Sequence, residues 1–379
     1  MSAREFFIWL STLSPFLEIV VIVGVFLAVV ALILFFVEIA PRKGRVYTYI
    51  RLAACIAGPA FVFWFLQSYQ WAIASAAVFG LLFFFLDKRA KDGQGSLFQL
   101  WGFLTPAIAL ILVGLVVPTI QTFIQAFMNS SSTQFIGFAN FEWVFTNPQN
   151  VRIIVNTLLW VLIAPIVSTS AGLAYAYFID KTRGEKYYKI LVFMPMAISF
   201  VGASIIWRFM YTARPEGQNQ IGLLNQIIVW FGGEPYNFLA DDPWNSLWLI
   251  VVFIWIQTGF AMVVLSAAIK GVPTEQLEAA ELDGTNGWQK FFNVIVPGIR
   301  PALIVVLTTI SIASLKVFDI VRTMTAGANN TSVLANEMYT QFKNFEAGRS
   351  AAYAVILFIL VVPLVVYNAV QLKKQREIR

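Results

Sequence analysis

The 379-residue chain has no histidine, one cysteine and few charges, with 20 Asp plus Glu and 26 Lys plus Arg making up 12% of it. Without histidine it lacks the commonest general base and metal ligand, which weakens any enzymatic reading. The single Cys55 excludes an intrachain disulfide and a cysteine metal cluster. No G-x-x-x-x-G-K-[ST] string occurs, so no P-loop is present to cradle nucleotide phosphates. Low charge beside 59% hydrophobic residues and a mean hydropathy of +0.75 excludes a soluble domain with a polar surface. A secretory leader is not expected either. Arg4 and Glu5 offset each other, and the apolar run that follows is too long for a leader's core, so 16–38 reads as a retained first span.

What the chain does have is a series of apolar runs of the length needed to cross roughly 30 Å of hydrocarbon. They fall near 16–38, 52–67, 71–86, 101–127, 154–178, 190–211, 246–269, 300–321 and 351–371. The expected fold class is an all-α polytopic membrane protein of nine spans. The second and third runs are short and separated only by Gln67–Gln70, so they read as a tilted hairpin or as one interrupted segment. Pro106, Pro118, Pro165, Pro195 and Pro363 lie within spans and are expected to kink them.

The formal net charge of +6 is explained by topology. Cations cluster at Arg42–Arg51, Lys88–Lys91, Lys181–Lys189, at Lys270, Lys290 and Arg300, and at Lys373–Arg379. With nine spans all five clusters fall on one side, which the positive-inside rule makes the cytoplasm. The N-terminus is then outside and the C-terminus inside. A basic balance distributed this way gives no footprint for nucleic acid.

Between the last two apolar runs but one lies a polar stretch, Glu278–Pro301, EAAELDGTNGWQKFFNVIVPGIRP. The spacing predicts a short helix over 274–283 with Thr274 as N-cap and with Leu277, Ala280 and Glu281 on one face. Asp283-Gly284 ends it, because glycine accepts the left-handed conformation that turns the chain. Trp288, Phe291, Phe292 and Ile295 then form a second apolar stripe, and Pro297 and Pro301 mark the return into the bilayer.

Glu278, Ala279, Ala280, Asp283, Gly284, Phe291, Ile295, Pro297 and Pro301 resemble, at the right spacing, the EAA loop of binding-protein-dependent ABC importer permeases. The resemblance covers about the last 280 residues and is closest to the sugar-uptake class of the maltose type. It implies a six-helix permease core at 97–379 with its cytoplasmic EAA loop at 270–300. Residues 1–96 then form an accessory unit of about three further transmembrane helices, divided from the core by the polar linker Asp87–Ser96.

The resemblance also implies the partners. These are a second homologous permease, two ATPase subunits and an extracytoplasmic solute-binding protein that delivers a disaccharide or oligosaccharide, an α-glucoside among the candidates. The chain itself would bind lipid and no cofactor, ATP and Mg being used by the ATPase. The EAA helix would sit in a groove of that ATPase, with Leu277 as apolar anchor, Glu278 as charge, Ala279 and Ala280 for close approach, Asp283 and Gly284 for the turn, and Pro297 closing the motif.

Polar groups at membrane depth are the candidates for a solute path. The run 300–321 holds Ser311, Ser314, Lys316 and Asp319, and the run 246–269 holds Trp255, Gln257 and Phe260. Sugar sites combine amide or hydroxyl hydrogen bonds with aromatic faces. By the resemblance Gln257, Phe260, Ser314 and Val317 fall at or beside the sugar contacts. An internal Lys316–Asp319 ion pair at i, i+3 and simple helix packing of Trp255 and Phe260 are the alternatives. External charges such as Arg214, Glu216, Asp241, Asp242, Lys343 and Glu346 are either docking groups or a solvated rim. Two other classes stay open: an ion-coupled secondary transporter, for which Asp319 is the one buried-carboxylate candidate, and a membrane enzyme built on Asp241-Asp242. An importer of a non-sugar solute is the remaining variant of the main reading.

Overall fold

The computed structural model describes residues 111–180 and 182–377, with 372–377 by backbone alone, and before them only isolated positions. The chain divides into two compact units, Met1–Pro118 and Thr119–Arg379. The description concerns the second unit and the helix leading into it. The expected accessory segment 1–96 and the first three spans therefore lie outside the described residues, apart from those isolated positions.

The elements in order are α1 Val117–Gln125, α2 Ala139–Thr146, α3 Pro148–Ile179, α4 Glu185–Phe193, α5 Phe200–Met210, α6 Leu223–Trp230 and α7 Asn245–Lys270. They continue with α8 Thr274–Leu282, α9 Gly287–Lys290, α10 Arg300–Leu315, α11 Asp319–Met324, α12 Leu334–Lys343 and α13 Ala347–Glu377. Among the described residues there is no strand, only an isolated bridge between Met128 and Phe135. Helix suits a chain crossing lipid, because it satisfies every backbone group within the segment.

Among the described residues three helices are long and apolar enough to cross a membrane: α3, α7 and the 347–371 part of α13. Counting each of two bent pairs as one span makes five. The sequence runs near 154–178, 246–269 and 351–371 are thus borne out, each extended by a few residues at its ends. The start of α3 is fixed locally: Asn147 accepts a hydrogen bond from the Gln149 amide at 2.9 Å, and Pro148 occupies the first helical turn. At 32 residues α3 is about 48 Å long, well beyond the roughly 30 Å of hydrocarbon.

Two of the expected spans are broken. The run 190–211 bends by 101° between α4 and α5. Here α4 tightens into a 3-10 turn over Met194–Ala197 that contains Pro195, and Ser199 starts α5 by accepting from the Gly202 amide at 3.1 Å. Proline withholds a backbone donor and serine offers the next helix a new cap, so one apolar run becomes two helices. The run 300–321 is also interrupted. Helix α10 stops at Leu315 with Lys316 as its C-cap, and the chain restarts at Asp319 as α11. Below α10, the chain from α9 passes through a π-helical turn, Phe291–Ile295, and a last turn, Val296–Gly298, before bending by 71° into α10.

The core is organised on α7, whose buried face includes Leu249, Phe253, Ile256, Met262 and Leu265. Glycines set its approach to its neighbours. A Cβ on Gly172 of α3 would lie 2.4 Å from the Ala261 Cβ, and one on Gly259 would lie 2.7 Å from the Val192 carbonyl oxygen of α4. Small residues that let helix backbones meet are the usual device for packing helices in lipid, where apolar burial gives no advantage between helices. Helices α3 and α7 run the same way. Arg152 meets Asp242 at 2.5 Å near their starts, and Lys270 and Ile179 lie near their ends.

A valine at Gly172 has no space against Ala261 and the Met262 amide. Gly172→Val is expected to destabilise the second unit by about 1–3 kcal/mol, the usual range for overpacking. The check is thermal unfolding of the purified complex, and an unchanged midpoint contradicts the close contact.

Candidate functional site

The segment after α7 is a hairpin of two short helices whose turn is defined by backbone hydrogen bonds. Pro273 precedes α8 in extended conformation and its carbonyl accepts from the Gln276 amide at 3.2 Å. Thr274 is therefore the first helical residue, one place after its expected role as N-cap, and makes no capping bond. At the other end Asp283 is the C-cap and Gly284 sits at φ +76°. The Thr285 amide reaches the Ala280 carbonyl at 3.2 Å and the Gly284 amide reaches Glu281 at 3.0 Å. These two bonds are a Schellman closure, which satisfies carbonyls the helix end leaves open and needs a left-handed residue at Gly284.

The second half begins at once. The Asn286 side chain accepts from the Gln289 amide and the Gln289 side chain accepts from the Asn286 amide, both at 2.9 Å, forming a capping box. Glu281 and Lys290 are joined by a salt bridge across the turn, and the Lys290 ammonium holds the Glu281 carboxyl below the usual carboxylate range. The stretch is therefore a rigid corner.

Its faces differ from the expected ones. Leu277 packs against the main core, and Ala280 is only 7% exposed beneath the Schellman turn. Leu277 is half-buried against its own bundle, and Ala280 lies where the chain folds over it. Glu278, Ala279, Asp283 and Gly284 are exposed, as is Pro297 further on. The expected apolar stripe divides as well. Phe291 and Ile295 are buried, while Trp288 and Phe292 stand 65% and 58% exposed and stack on each other at 6.0 Å. Leu282, 89% exposed, is the functional candidate that the sequence reasoning missed. Its signal was its place on the opposite side of α8 from Leu277 and Ala280. Leu282, Trp288 and Phe292, with the small Ala279, are the exposed apolar residues of the corner, whose charges include Glu278, Asp283 and Lys290. Large apolar groups held in water by a fixed turn mark an interaction surface.

The expected solute-path residues do not all share one environment. Gln257 and Phe260 of α7 are half-buried. Trp255 packs edge-on against Trp207 of α5 at 5.6 Å, so helix packing accounts for it. Ser314 is fully buried and donates to the Ser311 carbonyl at 2.9 Å, Ser311 donates to Leu307 at 2.8 Å, and Val317 lies in the core. Each hydroxyl donates its proton within its own helix. Lys316 is exposed at the end of α10, and Asp319 is exposed at the start of α11. Among the described residues no ion pair joins them, because the helix break separates positions that an unbroken helix would have placed one turn apart. At the opposite end of the bundle from α8, Asp242 is engaged by Arg152 and by the Asn330 amide at 3.1 Å, and Asp241 accepts from the Tyr236 hydroxyl at 2.5 Å. Buried asparagines tie the loops there to the helices: Asn156 donates to the Asn330 and Ser332 carbonyls, and Asn245 donates to Asn329.

Comparison with known proteins gives this geometry a family. Residues 168–377 match the family described as "Binding-protein-dependent transport system inner membrane component". The chain is 46% identical over 270 residues to the alpha-glucoside transport system permease protein AglF of Rhizobium meliloti, covering 71% of this chain and 80% of that protein. It is 43% identical over 278 residues to the osmoprotective compounds uptake permease protein GgtC of Synechocystis, covering 73% of this chain and 100% of that protein. In fold it is similar to a chain of a bacterial alginate ABC transporter solved with a pentasaccharide-bound periplasmic protein, at TM-score 0.62 and 24% identity over 71% of this chain and 92% of that one. Corner, spans and sequence agree, and the chain belongs to the family of inner membrane components of binding-protein-dependent transport systems.

Proposed function

We propose that this chain forms half of the translocation pore of an ATP-driven sugar importer and is moved by a separate ATPase that grips the α8–α9 corner. The observation that carries the reading is the exposed apolar surface of Leu282, Trp288 and Phe292, held by the Gly284 turn where two spanning helices meet. A surface of that kind, with charges at its rim, suits a protein groove. The chain has no phosphate-binding loop of its own, so ATP and Mg belong to the partner.

The complete transporter would contain a second homologous permease, two copies of the ATPase and an external solute-binding protein. In that assembly the α8 corner and the C-terminus face the cytoplasm, the N-terminus is outside, and residues 1–96 are accessory to the core at 97–379. The cation clusters support this orientation. Sugar as cargo, and an α-glucoside in particular, is supported by the names of the relatives that take alpha-glucosides and, at 26% identity, lactose. Gln257 and Phe260 on α7 and Lys316 at the end of α10 are the path groups: an amide, an aromatic face and a cation, the last at a helix break, the kind of interruption that transporters place around a solute.

Gly284→Asp keeps the corner's space but asks a non-glycine residue to hold φ +76°. We expect the variant to remain in the membrane while ATPase co-purification and uptake fall by about tenfold or more, equivalent to ~1.4 kcal/mol of lost interaction. Leu282→Asp is expected to act the same way through the surface itself, and full ATPase association in both variants rules out the corner as the coupling site. For the path, Gln257→Ala and Lys316→Met should lower uptake roughly two- to tenfold, the weight of one polar contact, with the ATPase still bound. Normal uptake in both removes them from the path.

A further inference from the structure

The ends of α3, α4 and α7 nearest the corner are joined by a network of charges that helix packing does not require. Asp180 is the C-cap of α3, and its carboxylate is only 10% exposed. A carboxylate at a helix C-terminus faces the negative end of the helix dipole. Its support comes from other helices: the Lys189 ammonium of α4 lies 2.5 Å away, and the Ser266 hydroxyl of α7 donates to both carboxylate oxygens at 2.9 Å. Lys189 also donates to Ser266 at 2.5 Å and to Glu185 at 2.7 Å, and Lys270, the last residue of α7, reaches Glu185 at 2.5 Å. Only the Glu185–Lys189 contact is local to one helix. Asp180–Lys189 joins the ends of α3 and α4, and the contacts made by Ser266 and Lys270 of α7 cross between residues 77 to 86 apart in sequence.

The location of this network gives it a role. Helix α7 passes into α8 through three residues only, Gly271–Val272–Pro273. That link is stiff: the Gly271 amide bonds to Ala267, the Val272 amide bonds to Ile269 at 3.1 Å, and the Val272 side chain is buried. A displacement of α8 therefore arrives at Lys270. The clasp passes it on to α3 and α4, and α4 leads through the 101° bend into α5. Helix α5 packs against α11, just beyond the break at Lys316, with the Arg208 guanidinium directed at the Thr323 carbonyl at 3.5 Å. Without the clasp, α3, α4 and α7 meet through apolar contacts and close glycine approaches, which permit sliding and rotation.

We propose that Asp180, Lys189, Glu185, Ser266 and Lys270 form a clasp that makes α3, α4 and α7 move as one body when the ATPase displaces α8, with Lys189 as its central positioning residue. The inference rests on the coupling reading above and adds where the motion goes after it enters the chain. Removing Lys189 leaves Asp180 nearly buried with a single hydroxyl partner, so the three helix ends lose their common tie.

The test uses the whole complex in proteoliposomes, measuring ATP hydrolysis together with uptake of radiolabelled maltose, and of sucrose as a second α-glucoside probe. In Lys189→Met we expect the ATPase to co-purify and hydrolysis to stay within about twofold of wild type, while sugar taken up per ATP falls about tenfold. Lys189→Arg should keep uptake per ATP within about threefold. Ser266→Ala, which deletes one hydroxyl and serves if Lys189→Met does not assemble, should lose two- to fivefold in the same ratio. An unchanged ratio in Lys189→Met, or in Ser266→Ala where that variant has to decide, overturns the clasp, as does a loss of hydrolysis in step with uptake. A failed corner shows instead as intact ATPase association in Gly284→Asp, so the two ideas fail separately.

Discussion

The close approach of α7 to α3 and α4 is the contact on which the rest depends. It is made where Gly172 and Gly259 supply no side chain. Lipid gives two apolar helices little reason to associate, so backbone proximity and the dispersion it allows have to hold the bundle. With α7 fixed at its middle, its two ends acquire different tasks. One end is bound to the loops by Asn245 and the Arg152–Asp242 pair nearby. The other carries α8 across a three-residue link.

On the proposed coupling, the corner and the broken spans are parts of one mechanical path that starts from α7. A rigid turn is useful to a transporter only if it is attached to something that can be moved, and only if the motion reaches polar groups along the path. The turn is rigid because Gly284 adopts a conformation other residues resist, and because capping bonds on both sides leave no loose backbone. It is attached through Val272, Leu277 and Phe291, all packed on the core. The polar groups within reach are at the α10–α11 break, where Lys316 ends one helix and Asp319 begins the next. An unbroken helix there would have hidden its backbone and paired the two charges. The break leaves both exposed.

Much of this was legible in the residues. Apolar runs located the long helices to within a few residues, and Asp283-Gly284 located the turn, because both signals act locally. What could not be read was set by neighbours distant in sequence. Leu277 lies on a face that periodicity marks as apolar without saying what covers it, and the core it packs against is built from residues distant in sequence. Ser311 and Ser314 looked like path groups, yet their hydroxyls bond to carbonyls three and four residues back, a choice that composition does not reveal. Near Ser199 the residues announced only the kink expected of Pro195, and at Lys316 the spacing to Asp319 suggested an unbroken helix with the two charges one turn apart. Asp180 gave no signal at all, since its partners lie on α4 and α7.

The central claim is that the face of α8 bearing Leu282 meets the ATPase while the face bearing Leu277 stays inside the permease. A photo-crosslinking residue placed at each position in turn, in the assembled transporter in its own membrane, tests it directly. The account predicts a covalent adduct with the ATPase from position 282 and none from position 277. No adduct from 282, or equal adducts from both, would contradict it.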